Sequence, residues 1–285
     1  MTRDKHTGSL SFQRRVGMIS TYGMVIALSF IFLLPLVWIL STSVKPDTQI
    51  FKMPPVLIPD PLTFTHYLRA FTELPFLRYL SNTLLIVVFY TLGVTVSSSL
   101  VAFSVARLRW PDRSLVFFIV LGTIMLPPQV TMIPVFILFR QLGWIDTLLP
   151  LIVPGFFGSA FFIFLLRQFF LTLPGELIES ARIDGAGNFR IFYQIFVPLS
   201  KPAILTVILF ASMWSWNDFM APLIYLSSEK MKTLALGLAA LQSQYGTEWG
   251  MLMAAASVMT VPIIILFFFA QRYFIEGIAL TGLKG

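Results

Sequence analysis

The chain alternates between long apolar runs and short polar connections. An apolar helix needs about 20 residues to cross the hydrocarbon core of a bilayer, and a helix satisfies its own backbone polar groups there. Six runs are this long: Val16–Leu40, Tyr79–Ala106, Ser114–Phe139, Thr147–Leu166, Pro202–Ser228 and Trp249–Gln271. Only the fifth contains a charged residue, Asp218. The pattern predicts an all-α integral membrane protein, a bundle of six transmembrane helices.

The third run is the least regular of the six. Pro127, Pro128 and Pro134 interrupt it, and proline removes a backbone donor that a helix interior needs. We therefore expect this span to kink or end near MLPPQVTMIP and to continue as a shallow helix. The first run is too long for a signal-peptide core and lacks a small-residue cleavage site, so it is predicted to be a true span.

Composition supports a membrane protein and narrows its chemistry. Of the 285 residues, 57% are hydrophobic and 12% are charged, about half the charged share of a soluble domain. The chain contains no cysteine, which excludes a disulfide framework, thiolate metal ligands and a cysteine nucleophile.

The net charge of +7 is explained by topology without a nucleic-acid partner. Of the 20 lysines and arginines, thirteen fall in the termini and in the loops on their side, against seven on the other side. The positive-inside rule then places both termini in the cytoplasm. We expect a cytoplasmic N-terminal segment over 1–15, a six-helix transmembrane domain over 16–275 and a cytoplasmic tail over 276–285.

One cytoplasmic loop, residues 174–202, has the pattern of a folded helical segment. Its sequence ELIESARIDGAGNFRIFYQIFVPLSKP predicts two short helices separated by Gly185 and Gly187, with Pro174 and two acids at the start of the first. Apolar residues then recur at helical spacing, and Pro198 ends the second helix. These apolar residues are Phe189, Phe192, Ile195 and Phe196. Such a face suits docking against another protein; the alternative is an amphipathic loop lying on the membrane.

This loop resembles the "EAA" loop of bacterial ATP-binding-cassette (ABC) importer permeases. The match rests on Glu179, Ser180 and Ala181, followed by Asp184, Gly185 and Ala186, and then Ile195, Pro198 and Pro202, with Ser180 standing where the family pattern has alanine. Nearly the whole chain is similar to the smaller permease of maltose-type carbohydrate importers. Further matches are MLPPQVTMIP, LGWIDT, WSWNDF and the terminal RYFIEGIALTGLKG.

The resemblance implies a subunit of the bacterial inner membrane that forms a translocation path with a second, homologous permease. Two ATPase subunits would bind and hydrolyse ATP with Mg²⁺, and an extracytoplasmic binding protein would deliver the solute. By the same resemblance, Glu179 in this coupling helix meets a basic residue of the ATPase, while Ala181, Gly185 and Ala186 permit close approach. Glu179→Ala or Gly185→Asp is expected to uncouple transport and leave membrane insertion intact.

Two further contacts are implied by position. The tail that includes Gly282 and Lys284 resembles the segment that reaches between the ATPase subunits in the maltose system; the alternative is a frayed end. The outer loop with Gln242, Gln244 and Tyr245 resembles the loop that inserts into the binding protein; the alternative is an ordinary solvated loop.

Polar residues inside the spans are candidates for the substrate path, because such groups usually face a path or a neighbouring helix. Trp214, Asn217, Asp218 and Ala221 recur at helical spacing, so we expect one helix face to carry an indole, an amide and a carboxylate. Aromatic planes stack on sugar rings, while amides and carboxylates bind hydroxyls. The alternative is an interfacial tryptophan belt with Asp218 bonding another helix. Asn82 and Gln129 are weaker candidates.

Other function classes are less compatible with the sequence. No serine–histidine–aspartate cluster, HExxH pattern or phosphate-binding loop is present, so we expect no catalysis, no metal site and no cofactor in this chain. An ion-coupled carrier usually needs several intramembrane ionisable residues, and this chain has one.

The expected solute is a sugar or glycoside; glycerol 3-phosphate, a polyol or another osmolyte is the alternative. A phosphate ester would call for Arg or Lys inside the spans, and none is present.

Overall fold

A computed structural model describes the backbone over residues 5–243 and 246–282, and the side chains over residues 17–242, 246–269 and 271. In that part of the chain the architecture is helical. The first helices are α1 (Lys5–Ser43), α2 (Asp47–Ile50), α3 (Thr65–Thr72), α4 (Phe76–Arg107), α5 (Arg113–Ile124), α6 (Pro128–Gln141), α7 (Leu149–Ile152) and α8 (Ala160–Thr172). They are followed by α9 (Glu176–Ile183), α10 (Asn188–Ile191), α11 (Val197–Leu199), α12 (Lys201–Asn217), α13 (Met220–Tyr225), α14 (Leu234–Ala239) and α15 (Trp249–Gly282).

Shorter elements fill the connections. Two 3₁₀ turns cover Val153–Phe157 and Glu229–Met231, a π-helical turn covers Phe192–Phe196, and two strands, β1 and β2, cover Gln242–Ser243 and Gly246–Thr247. The chain divides into two compact units, one formed by residues 1–70 and 245–258, the other by residues 71–244 and 259–285. Each unit is described by itself below.

Among the described residues, four helices are long and apolar enough to cross a membrane, or up to six if each of two bent pairs counts as one span. The single spans are Gly17–Ser43, Phe76–Arg107, Leu149–Thr172 and Trp249–Phe269. The first bent pair, α5 and α6, turns by 99° where Pro127 and Pro128 follow α5. The expected interruption of the third span near MLPPQVTMIP is therefore confirmed.

The fifth span departs from expectation. We expected one continuous helix over Pro202–Ser228, but α12 ends at Asn217 and α13 begins only at Met220. The structure instead pairs α12 with the preceding Asn188–Leu199 segment across an 81° bend. Ser200 lies at this bend and is fully buried. The prediction was wrong because apolarity alone does not show where a helix interrupts itself.

In the larger unit, α4 is the central helix and packs against α8 and α12. Val94, Phe162, Leu166, Val207 and Ala211 are fully buried in its core. Lipid is as apolar as these side chains, so close packing rather than the exclusion of water holds such helices together.

Small residues of α4 and the Val153–Phe157 turn allow their backbones to approach closely. A Cβ at Gly93 would lie 2.6 Å from the ring of Phe156, and one at Gly155 would lie 2.9 Å from the ring of Tyr90. The hydroxyl of Ser97 donates to the Gly155 carbonyl over 3.0 Å. The serine run that follows α4's glycine thus serves helix packing.

The smaller unit contains a buried lysine. Lys45 is fully buried, its Nζ lies 4.1 Å from the centre of the Trp38 indole, and it donates to the Thr42 hydroxyl over 3.3 Å. His66 is also buried, and its Nε2 lies 2.8 Å from the Lys45 carbonyl oxygen. Burial lowers the pKa of Lys45.

Candidate functional site

The polar loop folds as two helical segments around a turn, as predicted, but the second segment runs through Pro198 to Leu199, whereas we expected Pro198 to end it. The first helix, α9, ends in a Schellman motif, in which the Ala186 amide donates to the Ala181 carbonyl over 2.9 Å and the Gly185 amide donates to the Arg182 carbonyl over 3.0 Å. Gly185 has φ +76°, a left-handed conformation that costs other residues energy. The glycine is therefore required by the backbone at the bend.

The aromatic face of the second helix is used differently from our expectation. We expected Phe189, Phe192, Ile195 and Phe196 to form a face for another protein. Phe192 and Phe196 are buried in the chain's own core, with ring centres 5.4 and 4.9 Å from that of Phe103. Phe196 also meets Phe170 edge-on at 5.6 Å. These rings anchor the loop to the transmembrane helices.

The outer surface of the loop carries the coupling candidates. Glu179, Ser180, Asp184 and Gly185 are exposed, and Ala186 is half-buried. Beside them, Ile183 is 87% exposed and Phe189 is 70% exposed, large values for such apolar side chains. The position of Ala181 differs from expectation, because it faces the core and is 8% exposed. The available contact surface thus combines carboxylates with two apolar side chains.

Arg107 fixes the root of the loop. The guanidinium group of this last α4 residue donates to the carbonyl oxygens of Phe170, over 3.0 Å from Nε, and of Leu173. These carbonyls lie at and just past the end of α8, where the Leu173 amide also donates to the Phe170 carbonyl over 3.3 Å, so Arg107 adds a side-chain donor to this helix end. We counted Arg107 only as a topological charge. An arginine at a helix end beside a proline-terminated neighbour is the signal that could have identified this role.

A cavity of about 590 Å³ opens in the larger unit between α4, α7, α12 and α13. Trp214, Asn217, Asp218 and Ala221, the four residues expected on one path, all line it. Other lining residues are Thr83, Ile86, Tyr90, Pro150, Leu151, Pro154, Phe210, Met213, Ser215, Pro222 and Thr233. The sequence therefore identified the wall contributed by α12 and α13 but missed Tyr90 and Thr83 on α4.

The four residues come together at a helix break and not on one continuous helix. Asp218 accepts a hydrogen bond from the Ala221 amide over 3.2 Å and so caps α13. The side-chain amide of Asn217 donates to the Met213 carbonyl over 2.8 Å, at the end of α12. The Trp214 indole stacks on Phe162 with ring centres 5.0 Å apart, yet it remains 47% exposed.

The two weaker path candidates lie elsewhere. Asn82 is buried, and its side-chain nitrogen donates to the carbonyl oxygens of Lys230 and Lys232, each over 2.9 Å. It holds the connection between α13 and α14. Gln129 lies exposed near the start of α6, and neither residue lines the cavity.

Asp146 joins the connection between α6 and α7 to the segment that follows α13, and the sequence did not single it out. Its carboxylate accepts hydrogen bonds from the amides of Ser227 and Ser228 over 2.9 and 2.8 Å. Its own amide donates to the Tyr225 carbonyl over 2.8 Å, from a left-handed backbone with φ +60°. The amides hold the pKa of Asp146 below its usual value. Aspartate tolerates this conformation better than most residues, so the DT pair in LGWIDT was the available signal.

The remaining predicted contacts fall partly outside the described residues. Gln242 lies exposed in β1, whereas Gln244 and Tyr245 lie outside the part of the chain that the structure describes. Gly282 is the last residue of α15, so the helix continues into the expected tail, and Lys284 lies outside the described residues. Within those residues no three His, Asp or Glu side chains cluster as metal ligands.

Comparison with known proteins gives a consistent family. Residues 93–279 match the family model described as "Binding-protein-dependent transport system inner membrane component". The chain is 36% identical over 261 residues to the arabinooligosaccharides transport system permease protein AraQ of Bacillus subtilis, covering 90% of this chain and 92% of the relative. It is 34% identical over 240 residues to the sn-glycerol-3-phosphate transport system permease protein UgpE of Yersinia enterocolitica, covering 81% of this chain and 85% of the relative.

Solved structures agree on the fold. One is the crystal structure of a bacterial ABC transporter involved in the import of the acidic polysaccharide alginate, with a TM-score of 0.81, 24% identity and coverage of 92% of this chain and 98% of that one. A second is a bacterial alginate ABC transporter in complex with its pentasaccharide-bound periplasmic protein, with a TM-score of 0.67, 16% identity and coverage of 91% and 94%. Identities this low support the architecture alone.

Proposed function

This chain belongs to the family of binding-protein-dependent transport system inner membrane components, and from that premise we propose that it is the six-span permease subunit of an ATP-driven importer for sugars or glycosides. It is a multi-pass membrane protein whose relatives are transporter permeases. The observation that carries the proposal is a polar, exposed helix–turn–helix anchored to the same helical core that encloses a large cavity.

The helix–turn–helix is proposed to couple the permease to an ATPase. Glu179 is exposed on α9, beside Ile183 and Phe189, and its surroundings fit an ionic contact at the centre of a small apolar interface. Phe192 and Phe196 anchor the loop in the core, so a displacement of the bound partner reaches the transmembrane helices as a rigid-body movement. The partners are a second homologous permease, two ATPase subunits that bind ATP and Mg²⁺, and a solute-binding protein.

The cavity suits a neutral, hydroxyl-rich solute. Trp214 and Tyr90 offer aromatic surfaces, and Asn217, Asp218 and Thr83 offer polar groups. Asp218 is the only carboxylate, and there is no lysine or arginine, among the described residues that line the cavity. A phosphate or uronate group would meet a negative charge without a compensating cation. A glycerol 3-phosphate solute, suggested by the similarity to UgpE, would need its cation from the partner permease.

The orientation follows the positive-inside rule, with both termini and residues 174–202 in the cytoplasm. In that arrangement the coupling loop faces the ATPase, and the connection with Asp146 faces the binding protein. The outer loop with Gln242, Gln244 and Tyr245 is proposed to contact that protein, and the tail with Gly282 and Lys284 is proposed to reach the ATPase.

The test is reconstitution of the purified complex in vesicles. ATP-dependent uptake and stimulated ATPase activity are measured for a neutral oligosaccharide, a polyol and glycerol 3-phosphate, each with its binding protein. We expect a neutral sugar to stimulate both activities most strongly. Uptake that persists without the ATPase subunits and follows an ion gradient would instead identify a secondary carrier.

Glu179→Ala tests the coupling assignment within the same assay. Truncating one partner of a buried charge pair costs about 2 to 5 kcal/mol, which corresponds to at least about 30-fold weaker engagement of the ATPase. We expect solute-stimulated uptake to collapse while the chain still inserts into the membrane. Glu176→Ala, an exposed acid in the same helix, is the matched control and should transport almost normally. Wild-type uptake by the Glu179 variant would contradict the assignment.

A further inference from the structure

A half-buried arginine, Arg167, lies in α8, one residue beyond the span Thr147–Leu166 that the sequence predicts but inside the observed span Leu149–Thr172. The guanidinium carbon of Arg167 lies 4.0 Å from the centre of the Phe117 ring, so the group stacks on α5. Its Nε is buried and has no partner among the described residues. A charge withdrawn from water is costly unless an anion or several acceptors compensate it. Stacking on a ring satisfies none of its N–H groups.

A second arginine lies beside the first. Arg113 is the first residue of α5, one helical turn from Phe117 on the same face, so it neighbours the ring on which Arg167 stacks. The two positive charges interact unfavourably. One Arg113 nitrogen donates to the Leu108 carbonyl over 2.9 Å.

Nearby acids do not neutralise this pair in the described part of the chain. Asp112 precedes α5 with an exposed side chain that makes no capping hydrogen bond, and Glu176 lies exposed at the start of α9. The described ion pairs include neither arginine of the pair. Two more positive charges lie near the pair in sequence. They are Arg107, the last residue of α4, whose guanidinium caps α8, and the exposed Arg109 in the connection between α4 and α5. The local charge is strongly positive.

The surface around the pair is apolar. On α8, Phe164 and Leu171 lie three residues before and four residues after Arg167, which is the same helix face, and they are 39% and 43% exposed. On α5, Leu115 and Phe118 are 59% and 68% exposed. The two guanidinium groups therefore lie next to an exposed apolar surface formed by α5 and α8.

We propose that Arg113 and Arg167 form a binding site for the phosphate group of an anionic phospholipid, whose acyl chains lie along the exposed apolar side chains of α5 and α8. Guanidinium groups bind phosphate oxygens in a bidentate manner, and basic pockets between transmembrane helices are suited to lipid headgroups. Free phosphate shares the headgroup chemistry, but the flanking Phe164 and Phe118 favour an amphiphile. The proposed orientation places the site in the cytoplasmic leaflet, which is the one assumption taken from the proposed function.

The test measures lipid retention, without ATP or solute, so it does not depend on transport. The full-length chain, with the subunits that purify with it, is exposed to mixed micelles containing equal phosphatidylglycerol and phosphatidylcholine. Native mass spectrometry then counts the bound lipids. We expect the wild type to retain phosphatidylglycerol preferentially and Arg113→Gln/Arg167→Gln to retain it at least about tenfold less, as for lost charge-assisted hydrogen bonds.

Two further variants separate charge, geometry and folding. Arg78→Gln/Arg140→Gln removes the same charge from exposed positions elsewhere and should retain lipid as the wild type does. Arg113→Lys/Arg167→Lys keeps the charge without the bidentate geometry and should give intermediate retention, which shows that loss in the Gln variant is not misfolding.

Several outcomes would overturn the proposal. They are equal retention of the two lipids by the wild type, unchanged retention in the Gln variant, and displacement of the lipid by excess inorganic phosphate that binds in its place. A structure of the assembled complex with a partner's carboxylate on the two guanidinium groups would also overturn it.

Discussion

The helices of this permease are interrupted at Gly185 and again at Asp218, and the two interruptions are sealed differently. At Gly185 a left-handed glycine and two backbone hydrogen bonds close α9, in an exposed loop. At Asp218 a carboxylate caps α13 beside a cavity. The first break holds a rigid shape on the surface, and the second places polar groups at the wall of the cavity. In the proposed function the first break transmits force and the second contacts solute, so the two roles would rest on different kinds of broken helix.

The sharpest test of the first break is Gly185→Val. A φ of +76° costs an L-residue about 1 to 2 kcal/mol, and it costs a β-branched residue more. The Schellman motif that ends α9 should therefore be lost. We expect uptake and ATPase co-purification to fall at least about tenfold. Gly185→Val is a more demanding test than Gly185→Asp, because aspartate adopts the left-handed conformation more readily than valine does.

Gly187→Ala provides the control for that experiment. Gly187 has φ −73°, and a Cβ at either glycine has open space around it. Alanine at position 187 should therefore leave uptake close to wild type. If both variants fail equally, the loop is sensitive to any added side chain, and the argument from backbone conformation is wrong.

The attachment of the α6–α7 connection to the segment after α13 depends on Asp146. Asp146→Ala leaves the amides of Ser227 and Ser228 without their acceptor, at a cost of about 1 to 3 kcal/mol. We expect a lower thermal unfolding temperature in detergent and reduced uptake. Asp146→Asn keeps a carbonyl acceptor and tolerates the left-handed backbone, so it should recover most of both losses.

At Asp218 the capping role can be separated from the charge. Asp218→Ala removes the acceptor for the Ala221 amide and should destabilise the protein by about 1 kcal/mol, whereas Asp218→Asn keeps an acceptor and removes only the charge. We expect the Asn variant to be nearly as stable as wild type, with its effect confined to solute uptake. Equal unfolding temperatures for the Ala and wild-type proteins would exclude capping.

The smallest expected effect concerns pH. The amides of Ser227 and Ser228 lower the folded-state pKa of Asp146 below its unfolded value near 3.9. Its stabilising contribution is therefore complete above that value and is lost as pH falls through the folded pKa. The difference in unfolding temperature between wild type and Asp146→Asn should stay constant from pH 8 to 5 and narrow below about pH 4. A difference that changes near neutral pH would implicate another group.

Sequence patterns predicted the apolar helices, the proline break and the polar loop because each depends on local composition, but they did not show the break after Asn217. Trp214, Asn217, Asp218 and Ala221 line one cavity, although the single helix expected to carry them is absent. The roles of Phe192, Phe196 and Ala181 could not be read from the sequence, since an amphipathic face looks the same whether it meets a partner or its own core. Arg107 and Asp146 act across 63 and 81 residues, beyond the reach of periodicity.

The bend at Ser200 joins two helical segments that can act as a lever. The segment that ends at Leu199 meets α12 at 81°, and α12 extends from the elbow for 17 residues, about 25 Å. A rotation of about 5° at the elbow would carry Asn217 sideways by about 2 Å over that length. A small tilt at the bend would thus change the width of the cavity that Asn217 lines, and no helix would need to unwind.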